Sequence, residues 1–290
     1  MRHALALGLA ALMSHAYAQD ALALLPQKGT LQPIPNPTQL IARIVAKSKG
    51  IEVRRSSYTY REEETEQELD RKGRVTKSDT KVYDVTHLTR GKVRRLLAVN
   101  GKPLDAEAAA KEEARVLARL QAMQAEESAP APDKPKTKSN EINITAADIT
   151  AVCELGPITR TTFQGRRAFA LGFRPKPGAK QNGLGQRLAG KLEGQLIVDE
   201  DTEQVISVDG HLTESFWVGG GLLGSITPPT TFRFEQAQVA PDLWMPVKGE
   251  FSFHARAVVV PVRMAMRFQC SDFKHFEVGE ASIVKPVGGK

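Results

Sequence analysis

The stretch SFWVGGGLLGSITPPTTFRF, Ser215–Phe234, decides the fold class. It has the G-x-G-x-x-G spacing of a dinucleotide-binding turn, at Gly219, Gly221 and Gly224. Such a turn closes a strand and opens a helix, whose N-terminus binds the pyrophosphate. No helix can open here, because Pro228 and Pro229 follow and strand character resumes at Thr230. The glycines therefore connect two strands, and the dinucleotide-binding fold is excluded.

A two-residue period typical of half-buried strands recurs along the chain on both sides of this connection. Apolar and polar residues alternate at 93–99, 167–173, 192–198, 251–253 and 264–268. Together with turn signals such as Asn100-Gly101, the pattern predicts about nine strands and about three helices. We therefore expect an α+β fold, in which helices cover one side of a large, curved antiparallel β-sheet.

Three segments have the pattern of helices. Pro37–Gly50 has an apolar stripe at Leu40, Ile41, Ile44 and Val45, and Gly50 suits its end. Asp105 can cap a long helix, whose narrow stripe of Val116, Leu117, Leu120 and Met123 predicts a surface position or a lid. A short helix is expected at 143–153. Between them, the proline- and lysine-rich residues 128–140 predict a flexible linker within one domain, 19–290.

The N-terminus has the pattern of a secretory signal peptide, residues 1–18. Arg2 precedes a short apolar run, Ala4–Met13, and small residues precede the expected cleavage point after Ala18. We therefore expect a periplasmic or otherwise exported, soluble, monomeric protein, with no transmembrane segment in the mature chain. The net charge of +7 is spread along the sequence, and nucleic acid is not an expected partner.

The run REEETEQEL, Arg61–Leu69, places Glu62, Glu64, Glu66 and Glu68 on one side of a strand. The alternatives are an acidic ligand surface and a solvated, protruding strand pair, and the second is preferred. Acidic side chains of this kind discourage pairing with other chains.

Cys153 and Cys270 are the two cysteines of the sequence. Export permits a disulfide between them, and two buried free thiols are the alternative. Neither cysteine has metal-ligand spacing to another cysteine or histidine, so no metal site is predicted.

No catalytic motif stands out. The sequence lacks G-x-S-x-G, H-E-x-x-H and Walker-type motifs, and the histidines are widely scattered. We therefore expect neither a cofactor nor enzymatic activity. An unrecognised hydrolase is the remaining enzymatic alternative, without a nucleophile or base that the sequence identifies.

Large apolar side chains are concentrated on the predicted strand faces, where they form a plain core or line an apolar cavity. A curved sheet of this size encloses more volume than three modest helices fill, which favours a cavity for acyl chains. The candidates are Phe169, Leu171, Phe173, Leu196, Val198, Phe216, Phe232, Phe234, Phe251, Phe253, Met264 and Met266.

The glycine-rich connection is a second candidate surface. Its apolar residues fold back onto the core or form an exposed tip that contacts a membrane or a protein partner. The residues in question are Gly219, Gly221, Leu222, Leu223 and Gly224.

The layout of a signal peptide, a helix, a first group of strands, further helices and a longer meander resembles the periplasmic lipoprotein-carrier (LolA-like) superfamily. Two segments carry the resemblance: GQLIVDEDTEQVISVDG, Gly194–Gly210, is similar to its Asp-turn-Thr hairpin, and LWMPVKGEFSF, Leu243–Phe253, to its Leu-(x)-Pro strand. The resemblance implies an incomplete barrel with a helical lid over an apolar cavity. It also implies a carrier or chaperone for lipid or an acylated lipoprotein. An envelope protein that uses the same fold to bind a protein partner is the alternative.

Overall fold

The computed structural model describes residues 29–31, 33–88, 91–128, 146–218, 224–257 and 260–276. Its helices are α1 (Pro37–Arg55), α2 (Ala106–Ser128), α3 (Ala146–Val152) and α4 (Gly183–Ala189). The strands of the first half are β1 (Tyr58–Leu69), β2 (Val75–Leu88), β3 (Gly91–Val99) and β4 (Lys102–Pro103). Those of the second half are β5 (Cys153–Phe163), β6 (Arg166–Pro175), β7 (Leu192–Asp199), β8 (Val205–Leu212), β9 (Phe216–Val218), β10 (Gly224–Ala240), β11 (Leu243–Ala257) and β12 (Val260–His275). The expected signal peptide and linker residues 129–140 lie outside the described residues, and Ser128 ends α2.

All twelve strands belong to one open antiparallel sheet in the order β4-β3-β2-β1-β12-β11-β10-β8-β7-β6-β5, with β9 beside β10. The halves of the chain are joined where the last strand pairs with the first, from Tyr58 opposite His275 to Glu68 opposite Met264. The predicted α+β class with a large, curved antiparallel sheet is confirmed.

Helices α1, α3 and α4 pack on one side of the sheet, which we call the helix face; the other side is the outer face. Leu40, Ile41 and Ile44 of α1 are buried against strand residues of the helix face such as Phe169 and Leu196. Asn36 caps α1, because its side-chain oxygen accepts hydrogen bonds from the backbone N–H groups of Thr38 (3.0 Å) and Gln39 (3.3 Å). The second half of the sheet therefore has a filled core.

The expectation that α1 ends at Gly50 is wrong, because the helix continues to Arg55. Its last residues make tertiary contacts that outweigh the helix-breaking tendency of glycine. Arg55 donates to the backbone oxygen of Trp244 at 2.9 Å, and Arg54 donates to the backbone oxygen of Asp242. These bonds hold the end of α1 against the turn between β10 and β11.

Helix α2 covers the part of β3 that the two-residue strand β4 leaves unpaired. The carboxylate of Glu112 accepts a hydrogen bond from the backbone N–H of Leu96 at 2.7 Å, and Arg115 donates to the backbone oxygen of Arg94 at 2.5 Å. These bonds satisfy backbone groups that an edge strand otherwise offers to other chains. The predicted cap is confirmed, since Asp105 accepts from the N–H of Ala108 at 2.8 Å.

The acidic strand is not the solvated, protruding strand that the sequence favoured, which corrects that prediction. β1 lies inside the sheet, and Glu62 and Glu64 are only 4% and 8% exposed. Arg94 pairs with both carboxylates, at 2.6 Å and 2.8 Å. Pairing of β1 with β12 brings these charges inward, and two cations balance them: Arg94 contacts both carboxylates, and Lys92 lies 3.6 Å from Glu62.

Candidate ligand-binding surface

Seven apolar side chains on the helix face continue beyond the helix-covered core along β10, β11 and β12. The register places Phe232 opposite Phe251 and Phe251 opposite Met266, so the three side chains form a row across the strands. We call the whole set the aromatic surface: Phe232, Phe234, Phe251, Phe253, Met264, Met266 and Phe268. All seven are half-buried.

The rings of this surface contact one another. Phe251 and Phe253 are stacked with ring centroids 5.8 Å apart, and Phe268 lies 6.3 Å from Phe251 and 6.1 Å from Phe234. Contacts between aromatic rings at this spacing are favourable beyond the area that they bury. The side chains are therefore held as a pre-formed apolar surface.

Two glycines on neighbouring strands leave room for the aromatic rings of this surface. Gly210 lies opposite Phe232, and a Cβ atom there would come within 2.8 Å of the ring carbon Cζ. Gly249 lies opposite Phe268, and a Cβ atom there would overlap that ring. Because glycine has no side chain, each ring can lie directly on the neighbouring strand.

The twelve residues predicted to line a cavity fall into two groups. Six lie on the aromatic surface, where sequence reasoning left out Phe268, although it continues the two-residue period from Met264 and Met266. The other six are buried in the core beneath α1, α3 and α4: Phe169, Leu171, Phe173, Leu196, Val198 and Phe216. An apolar ligand could thus reach the first group without displacing a described helix.

Charged residues border the aromatic surface on the β1 side. Glu64, Glu66 and Glu68 lie directly opposite Phe268, Met266 and Met264. Lys81 of β2 lies 3.4 Å from Glu66, and Lys77 lies 3.9 Å from Glu68. The apolar strip thus has a polar rim of both signs.

A shallow groove of about 640 Å³ crosses β1, β12, β11, β10, β8 and β7. Most of its lining residues occupy outer-face positions, including Asp209, Arg233, Glu250 and Arg267. Its lining also includes Phe232, Phe251 and Met266, the central row of the aromatic surface, so apolar and charged side chains meet in this groove.

The two segments that carry the family resemblance meet in a buried polar network. The Asp199 carboxylate accepts hydrogen bonds from the Thr202 hydroxyl (2.9 Å) and Arg166 (2.8 Å). Trp244 donates its indole N–H to the Thr202 hydroxyl at 3.2 Å. The network ties the β7–β8 turn to β11 and is structural.

Cys153 and Cys270 are both free and buried, in separate core clusters. The bridge considered from the sequence is not formed, and the alternative of two free thiols describes the structure. Burial raises the pKa of the Cys153 thiol to about 11 and raises that of Cys270 further. High thiol pKa values of this kind belong to unreactive cysteines.

The surroundings of His87 favour its neutral form. Burial, together with the positive charges of Arg55 and Lys92, lowers its pKa to about 4. Its ring nitrogen Nε2 lies 3.3 Å from the Tyr60 hydroxyl. Within the described ranges, no cluster of three or more His, Cys, Asp or Glu side chains could hold a metal ion.

Of the predicted membrane or partner loop, Gly219, Gly221, Leu222 and Leu223 lie outside the described residues. Gly224 begins β10, pairs with Val218 and has a φ of 124°, which favours glycine. No helix in the described part of the chain is long and apolar enough to cross a membrane.

The sequence matches no protein-family profile and no curated protein. One similar solved structure is a domain of a proposed outer membrane lipoprotein-sorting protein from Vibrio parahaemolyticus. It is 11% identical, covers 84% of this chain and 96% of that chain, and has a TM-score of 0.33. Another is MucB, which is 10% identical, covers 79% of this chain and 94% of that chain, and has a TM-score of 0.25. Similarity at this level carries no argument about function.

Proposed function

We propose that this chain is an exported, non-catalytic carrier that binds the acyl chains of a lipid or an acylated lipoprotein on the aromatic surface. The observation that supports the proposal is the continuous strip of seven half-buried aromatic and methionine side chains on β10, β11 and β12. A contiguous, partly exposed apolar strip is a candidate binding site in a water-soluble protein.

The energetics favour an acyl chain that is covered on both sides. Burying one methylene contributes about 0.8 kcal/mol, so ten fully buried methylenes contribute about 8 kcal/mol. That corresponds to a dissociation constant on the order of 1 μM, whereas half the burial corresponds to about 1 mM. We therefore expect tight binding to involve a further apolar layer over the aromatic surface, supplied by the chain or by the cargo.

Native mass spectrometry of the protein purified from its own cell envelope, followed by lipid extraction, tests the proposal. A co-purified acyl species in stoichiometric amount supports it. A ligand-free mass together with no uptake of added fatty acid or phospholipid contradicts it.

The second candidate is an envelope protein that binds a protein partner through the same surface. The observation that favours it is the row of charged residues on the β1 side of the apolar strip: Glu66, Glu68, Lys77 and Lys81. An apolar centre with a polar rim is the usual anatomy of a protein interface. Cross-linking from a cysteine placed at Glu68 distinguishes the two, since it captures a protein partner and not a lipid.

A further inference from the structure

One end of the sheet exposes a tryptophan beside a group of cations. The β1–β2 turn (70–74), the end of β11, the start of β12 and strand β9 all lie at this end, because the strands are antiparallel. We call it the sheet tip. It is separate from the aromatic surface, and the inference does not depend on the proposed function.

Trp217 of β9 is 52% exposed. Phe216, one residue earlier, is buried in the core and lies opposite Ile226. Trp217 lies opposite Ser225 and projects from the outer face. Trp217 is the largest of the exposed apolar side chains among the described residues, and it is relevant here because cations lie at the same end of the sheet.

The cations at this end of the sheet come from β11, β12 and the β1–β2 turn. Ser225 lies opposite Arg256, which is exposed, and Arg263 occupies the same face of β12, opposite His254. Arg263 donates to the backbone oxygens of Asp70 (3.4 Å) and Arg71, which fixes the β1–β2 turn beside it.

That turn adds positive charge and some apolar surface. Arg71, Lys72 and Arg74 are exposed, and Asp70 is neutralised by Arg74 at 2.7 Å. Val75, which follows the turn, is 50% exposed. The tip therefore combines an amphipathic aromatic ring with an excess of positive charge.

We infer that the sheet tip docks on the surface of a bilayer that contains anionic lipids. Tryptophan prefers the membrane–water interface, where its ring lies at headgroup level and its N–H stays hydrated. Each arginine or lysine near an anionic membrane surface contributes about 1 kcal/mol of attraction, so several together give stable binding. Such a surface suits a membrane, which presents a flat array of negative charge, better than it suits a small ligand that binds in a groove.

The two tryptophans of the chain make the inference directly measurable. Trp244 is fully buried, so docking should not change its surroundings, whereas Trp217 is 52% exposed. The chain from Gln19 onward is mixed with vesicles of phosphatidylethanolamine and phosphatidylglycerol. We expect a blue shift of the emission that is absent with phosphatidylcholine vesicles and absent in Trp217→Phe.

Charge variants complete the test by vesicle sedimentation. The double variant Arg71→Glu with Arg256→Glu should bind anionic vesicles at least tenfold more weakly, and Lys274→Glu, at the opposite end of β12, should bind like the unchanged protein. The inference is overturned if the double variant binds anionic vesicles as tightly as the unchanged protein. It is also overturned if Phe251→Glu alone loses binding, because the vesicle contact then belongs to the aromatic surface. Absence of vesicle binding, with capture of an acidic protein instead, overturns it too.

Discussion

Phe251 of β11 lies directly opposite Met266 of β12, and both side chains are half-buried on the helix face. Phe232 of β10 extends the same row on the other side of Phe251. This row marks the centre of the aromatic surface, beyond the core that α1, α3 and α4 fill. The relationship makes Phe251 the side chain whose change tests the proposed ligand site most directly.

Phe251→Glu should reduce binding of a fluorescent fatty acid at least tenfold, because the carboxylate places a charge in the middle of the apolar strip. The change should leave the melting temperature within a few degrees, because Phe251 is half-buried and its replacement can reach water. Leu117→Glu is the matched control, since Leu117 is an exposed apolar residue on α2, away from this surface. Unchanged fatty-acid binding by a folded Phe251→Glu protein would remove the aromatic surface as the ligand site.

The glycine under the Phe232 ring should be intolerant of a side chain. In Gly210→Ala, the new Cβ atom would meet the Glu193 carbonyl oxygen at 2.7 Å and the Phe232 ring at 2.8 Å. We expect a loss of about 1–3 kcal/mol in the free energy of unfolding, measured with urea. Gly50→Ala is the opposite case, because Gly50 lies in the middle of α1 with open space around it. It should gain about 0.5–1 kcal/mol.

The two cysteines should be unreactive in the folded protein. Both thiols are buried and their pKa values are raised by burial, so the thiolate that reacts with aromatic disulfide reagents is scarce. We expect no labelling in buffer at pH 8 and labelling of both thiols in urea without reductant. A reductant should leave the melting temperature unchanged. A drop in that temperature, or labelling that requires the reductant, would show that a bridge forms.

The local features of the fold follow from short-range chemistry, and the sequence predicted them. Period-two alternation predicted the strands, Asp105 predicted the start of α2, and Asn100-Gly101 predicted a turn that the structure contains, with φ of 50° and 74°. These outcomes depend on a few adjacent residues, so tertiary context changes them little.

The features that the sequence did not predict depend on partners far away in the chain. The sequence favoured a solvated acidic strand, but β1 pairs with β12, and its carboxylates Glu62 and Glu64 are therefore buried and ion-paired. Alternation shows that Phe169 and Phe251 each face one side of the sheet, but it does not show which of them a helix covers. Phe169 lies beneath the helices, whereas α1 meets β11 near the start of that strand, at Trp244, and Phe251 lies further along it.

Because of His87, the stability of the protein should depend on pH between about 4 and 6.5. Its pKa is lowered to about 4 in the folded state, against 6.5 in an unfolded chain, so between these values the unfolded chain binds the proton more strongly. Stability should therefore be complete above pH 6.5, fall as the pH drops, and reach its full loss near pH 4, by up to about 3 kcal/mol. Urea unfolding at half-unit steps measures this slope, and His87→Gln should flatten it because glutamine carries no titrating group. An equal slope in His87→Gln and the unchanged protein would assign the acid sensitivity to other groups.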